Sequence, residues 1–189
     1  VFLSSILVGM TLVNLRQESY SLNVPTSPKN ILDYYQALKG TLGIDQNYTM
    51  ITKDVANGYL RFSAPIPNVP SSRNFTMVLW RSRGGKDLIG VSYFLCSGMG
   101  CWGDLEGFRI FNANLEEVQK QEVSWPVLEK RLKAPLVGAS NGSGQALKVN
   151  VELPQKGTTI KIYRGIIGGK RELTANLVYN YDQGTFSIQ

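Results

Sequence analysis

The chain contains no histidine. That absence removes Ser-His-Asp and Cys-His nucleophile systems, histidine-ligated zinc and the usual acid/base group at neutral pH. Cysteine is nearly absent too: Cys96 and Cys101 are the only two, too few to build a metal site alone. Four residues separate them, so they also lack the two-residue spacing of thioredoxin-like redox motifs. No phosphate loop is present. The glycine-rich stretches Asn141–Gly144 and Gly165–Lys170 lack the required spacing, and both fall between predicted strands rather than ahead of a helix. Internal repeats and low-complexity blocks are missing as well.

The apolar run at the start of the given sequence is short for a membrane span. Val1 to Leu15 is uncharged and apolar over fifteen residues, then Arg16 and Glu18 end the run. This length suits a secretory signal peptide, and residues 1–20 are read as a signal peptide or an uncleaved N-terminal anchor, with a buried element as the remaining option. Residues 21–189 are read as a single β-rich globular domain. The net charge of +6 favours acidic partners in general. Its cations are scattered, however, and a solvated surface explains them without nucleic acid. Membrane contact is expected only through residues 1–15, if they are retained. No cofactor and no metal are predicted.

What the chain does have is strand periodicity with well-placed turns. The stretch from Lys86 to Cys96, the loop Ser97–Cys101, and the stretch from Trp102 to Asn112 read as strand, tight loop and strand. Around it the pattern predicts a meander of strands at 59–63, 75–82, 87–96 and 105–112, preceded by a short strand at 48–52. Asn57-Gly58 is a hairpin turn signal. Phe75, Met77 and Leu79 alternate with Thr76, Val78 and Trp80. Pro65, Pro67 and Pro70 mark 64–73 as a stiff loop. Further strands are predicted at 147–153, 158–164, 173–180 and 185–188. Two helices are expected: residues 30–42, with Ile31, Leu32, Tyr35 and Leu38 on one face, and a short one at 127–133 opened by Pro126. The fold class is therefore α+β and mostly β: an antiparallel meander with one small N-terminal helix and a short second helix.

Several phrases taken in order carry a resemblance. They are Asp54–Leu60 (DVANGYL), Phe75–Trp80 leading into Lys86–Ser92, the Cys96/Cys101 loop, Leu153–Ile162 (LPQKGTTIKI) and Gly184-Thr185-Phe186. This order, over residues 24 to 189, resembles an uncharacterised family of small exported bacterial proteins found in Bacteroidota-like genomes. The cysteine loop departs from that family's Cys-Gly-Pro-x-Cys-like turn by lacking the proline and by one extra residue. The resemblance implies an exported, β-rich, non-catalytic domain and carries over no active site.

The chemistry-bearing residues are few. Cys96 and Cys101 are expected to form a disulfide that closes the hairpin, the alternative being a reactive thiol pair. Trp102, beside that loop, is the aromatic residue expected to be exposed and in contact with a partner, together with basic Arg81, Arg83 and Lys86. Against it stands the reading of Trp80, Trp102 and Trp125 as core. Asp104 and Glu106 are the carboxylates that a regular strand would place on one side for acid/base work. Asn47, Asn74 and Asn141 begin N-glycosylation sequons. The function expected is a secreted or periplasmic, non-catalytic binding or structural module of the cell envelope, its partner an envelope component or a glycan. The alternatives are a carboxylate-based hydrolase using Asp104 and Glu106, and an anchored accessory subunit of an envelope assembly.

Overall fold

The computed structural model describes residues 30–44, 46–118, 123, 148–165 and 171–189, and for residues 104–106 and 148 the backbone alone. Residues 1–20, the expected helix at 127–133 and the Asn141 sequon lie outside the described residues. The element order is α1 (Ile31–Leu38), β1 (Thr49–Asp54), β2 (Tyr59–Pro65), β3 (Ser71–Trp80), β4 (Leu88–Ser97), β5 (Gly100–Asn112), β6 (Lys148–Glu152), β7 (Thr159–Gly165), β8 (Arg171–Asn180) and β9 (Thr185–Ile188).

Helix α1 begins where Asn30 can cap it. The Asn30 side chain accepts from the Leu32 amide at 2.8 Å, and the Asp33 carboxylate accepts from the Asn30 amide at 3.0 Å. The helix is shorter than its periodicity suggests and ends at Leu38. Leu42 N–H still donates to Leu38, but Gly43 turns the backbone with φ +64° and releases the chain towards β1. Ile31, Tyr34 and Leu38 are fully buried, while Leu32 and Tyr35 pack at the margin.

The strands form two antiparallel sheets, not one. The first has the order β1-β2-β3-β4-β5, the second β6-β7-β8-β9. The division follows from the alternation in β3. Phe75, Met77 and Leu79 face α1 and join its core, whereas Val78 and Trp80 face the second sheet and join Val149, Val151, Ile160, Ile162 and Leu177. Every residue from Asn74 to Trp80 is buried, so the first sheet is covered on both faces in this region. The molecule is thus layered as helix, five-stranded sheet and four-stranded sheet.

Turn chemistry sets the register. Asp54 accepts from both the backbone and the side chain of Asn57, and Gly58 takes φ +64°, closing β1 onto β2. The proline loop is narrower than 64–73, because β2 runs through Pro65 and β3 starts at Ser71, where Pro65 pairs with Ser72. Pro65 sits at a strand end, and Pro67 and Pro70 fall within the loop itself. Hydrogen bonds stitch the layers: Ser92 Oγ donates to the Val151 carbonyl at 2.9 Å, and Gln155 Nε2 donates to Asp54 Oδ2 at 3.1 Å.

Gly90 has a packing reason. A Cβ there would lie 2.4 Å from Cζ3 of Trp80, so only glycine lets the indole lie flat against β4. The Trp80 ring is 1% exposed and meets Phe186 edge-on at a centroid distance of 5.2 Å.

Candidate binding site at the disulfide end

Cys96 and Cys101 are directly opposed across β4 and β5, with Cα atoms 4.0 Å apart, and form a disulfide. Ser97 pairs with Gly100, leaving Gly98 and Met99 as a two-residue turn. Gly100 adopts φ +109°, and Ser97 Oγ accepts from the Met99 amide. The second strand therefore begins at Gly100, several residues before the apolar run starting at Leu105 suggests.

Strand register then assembles a surface. Arg73 pairs with Leu95, and Leu95 pairs with Trp102, so three neighbouring strands bring these side chains to one face. Tyr93 shares that face by alternation. Helix α1 covers the same face farther along, over Phe62, Phe75 and Met77. Beyond the helix a cavity of about 260 Å³ remains open, lined by Tyr48, Arg73, Tyr93, Phe94, Leu95 and Trp102 among others. Trp102 is partly buried at its wall, Arg73 is exposed, and Met99 stands 65% exposed on the adjacent turn.

Tyr93 is the fixed point of the cavity. Its hydroxyl donates to the Leu42 carbonyl in the turn after α1, and burial pushes its pKa well above the usual tyrosine value. The phenol is neutral at any physiological pH and serves as an apolar platform with its polar end satisfied. Chemically the cavity offers aromatic faces, one guanidinium and few other charged groups. Such a lining suits a ligand with an apolar ring face and hydrogen-bonding edges.

The other residues singled out by the sequence lie elsewhere. Arg81, Arg83 and Lys86 sit in the β3–β4 hairpin, at the opposite end of β4 from Trp102. The seven steps from Leu88 to Leu95 put the two groups roughly 23 Å apart, at ~3.3 Å per residue. They do not form one contact surface with Trp102. Arg83 instead pairs with Asp182 at 3.0 Å, both exposed.

Asp104 and Glu106 fall in an irregular part of β5. Ser92 faces Phe108 while Phe94 faces Gly103, so Tyr93 alone stands opposite residues 104–107. The pairing is therefore bulged along this part of β5. The side chains of Asp104 and Glu106 lie outside the described residues. The Asn74 sequon is also ill placed: Asn74 is 3% exposed and its side-chain nitrogen donates to Ser72 Oγ at 2.9 Å.

Arg73 and Leu95 are not marked by the sequence, and Tyr48 and Tyr93 only as two of nine tyrosines able to stack a sugar or base. Tyr93 and Leu95 alternate in β4, which could have shown that they share a face. Only the cross-strand register shows that Arg73 and Trp102 join them. Among the described residues no three His, Cys, Asp or Glu side chains gather as a metal site would require, and no helix is long and apolar enough to cross a membrane. No family model, curated protein or solved structure matches this chain.

Proposed function

We propose that this protein is an exported, non-catalytic binding module of the cell envelope that takes a glycan at the Trp102 cavity. One observation carries the reading: Arg73, Leu95 and Trp102 stand in register across three strands beside Tyr93 and Tyr48, around an open cavity of about 260 Å³. A pyranose presents an apolar C–H face to an aromatic ring and hydroxyls to a guanidinium, and the cavity holds about one such ring. Export is supported by the disulfide, which persists in oxidising compartments, and by the apolar, uncharged stretch Val1–Leu15. The resemblance to exported Bacteroidota-like proteins points the same way.

The test is a tryptophan-fluorescence titration of the full chain with the trisaccharides of N-acetylglucosamine and of glucose. At least one is expected to give a saturable change, and Trp102→Ala is expected to weaken it tenfold or more. If neither trisaccharide binds, or if Trp102→Ala binds equally well, the cavity is not a glycan site.

A further inference from the structure

A second cavity, of about 360 Å³, opens at the same end of the molecule but on the other face of the first sheet, between the two sheets. Alternation explains part of its lining. In β2, Tyr59 faces the second sheet and is buried in the shared core, so Arg61 is the next position on that face. In β8, Ala175 and Leu177 face the same core; a bulge at Thr174 breaks the alternation beyond them, and Arg171 lines the cleft from the end of the strand. Two arginines thus reach one cleft from opposite sheets.

Both are held flat. The Arg61 guanidinium lies over the Phe94 ring at 5.3 Å from its centroid, and that of Arg171 lies over Tyr163 at 5.2 Å. A guanidinium over a ring still has N–H donors to offer a ligand. Neither arginine has a carboxylate partner among the described residues. Arg61 Nε is moreover buried without any hydrogen-bond acceptor. Buried donors are almost always satisfied, and a charged one left unpaired is costly. Glu152 is the one carboxylate among the described lining residues, so two arginines and one glutamate leave a single positive charge. Asn150 and Gln155 add neutral polar groups at the second sheet's wall.

We infer that this cleft is a binding site for a small ligand bearing one oxyanion, a carboxylate or a phosphate, on a ring or short apolar group. The oxyanion meets the N–H edges of Arg61 and Arg171, as planar guanidinium groups favour. The apolar part lies against Phe94 and Leu153. The site is separate from the Trp102 cavity, and neither reading requires the other.

The experiment is calorimetric titration of the full chain at physiological salt with three probes of similar shape: phenylacetate, phenyl phosphate and the neutral phenylacetamide. Saturable binding of phenylacetate or phenyl phosphate, at least tenfold tighter than phenylacetamide, is expected. The tighter of the two identifies the oxyanion the cleft prefers. Arg171→Gln, at an exposed strand end where folding is not at stake, is expected to weaken that binding at least tenfold. Arg61→Gln is expected to do the same, with its fold checked by circular dichroism. The inference is overturned if no oxyanion probe saturates, if phenylacetamide binds as tightly, or if Arg171→Gln binds like the unaltered protein.

Discussion

The two ends of the five-stranded sheet are built differently from the same strands. Along β4 the residues from Leu88 to Ser92 are all buried, whereas those from Tyr93 to Ser97 are partly or fully exposed. Strand β3 runs the other way and repeats the division in reverse, open at Ser71–Arg73 and buried from Asn74 to Trp80. At the closed end Trp80 fills the space over Gly90 and meets Tyr179 and Phe186. At the open end a disulfide stands where packing is thin, and cavities lie on both faces, with Phe94 lining each. One end carries the fold and the other presents surface. A covalent link at the open end keeps its hairpin ordered without filling the space a ligand would use.

This contrast is sharpest when the tryptophans are compared. Trp80→Ala is expected to destabilise by about 3–5 kcal/mol, because a fully buried indole is replaced by a void between the sheets. Trp102→Ala, at the open end, is expected to cost about 1 kcal/mol. Urea unfolding of the two variants checks this, and equal losses would erase the distinction between the ends. Trp80→Phe is expected to fall between them, since it keeps most of the ring while removing an indole N–H that has no hydrogen-bond partner.

Reduction of Cys96–Cys101 is expected to cost about 2 kcal/mol, a magnitude suited to so short a loop. Its effect should be local. Amide exchange should quicken around 95–102 and stay slow at 76–80 and 88–92, and a uniform acceleration would show that the disulfide supports the whole fold.

The smallest effect concerns Asp54. Hydrogen bonds from Gln155 and Asn57 hold its carboxyl below the ordinary aspartate value. A carboxylate with a depressed folded pKa adds stability that is present above its unfolded value and is lost as pH falls through the folded one. The unaltered protein should therefore lose this contribution below about pH 3.8, and Asp54→Asn should show a shallower acid loss in urea midpoints. Identical acid profiles would remove Asp54 from the contacts that tie the sheets together.

Much of this architecture is legible in the sequence. Period-two patterns and glycine turns locate β2 to β4 and β6 to β9, because a strand's alternation and its turn residues are local properties. The partition into two sheets is not local. Phe75, Met77 and Leu79 are as apolar as Val78 and Trp80, and the partner of each face comes from distant chain. Nor does Gly90 announce itself, since its role is to make room for a ring on the neighbouring strand. The grouping of Trp102 with Arg81, Arg83 and Lys86 fails for a simpler reason. Residues close in sequence lie far apart when a whole strand runs between two turns. The bulge at 104–107 likewise depends on pairing across β4 and β5, which spacing alone does not reveal.

The most direct test of the account is amide hydrogen exchange, resolved along the full chain, without and with a saturating trisaccharide of N-acetylglucosamine or glucose. The account predicts the slowest exchange at 76–80 and 88–92 in the free protein, and ligand protection confined to 93–103 and the neighbouring residues 48 and 73. Protection at the 81–87 hairpin instead, or none at the disulfide end, would contradict the assignment of folding to one end and recognition to the other.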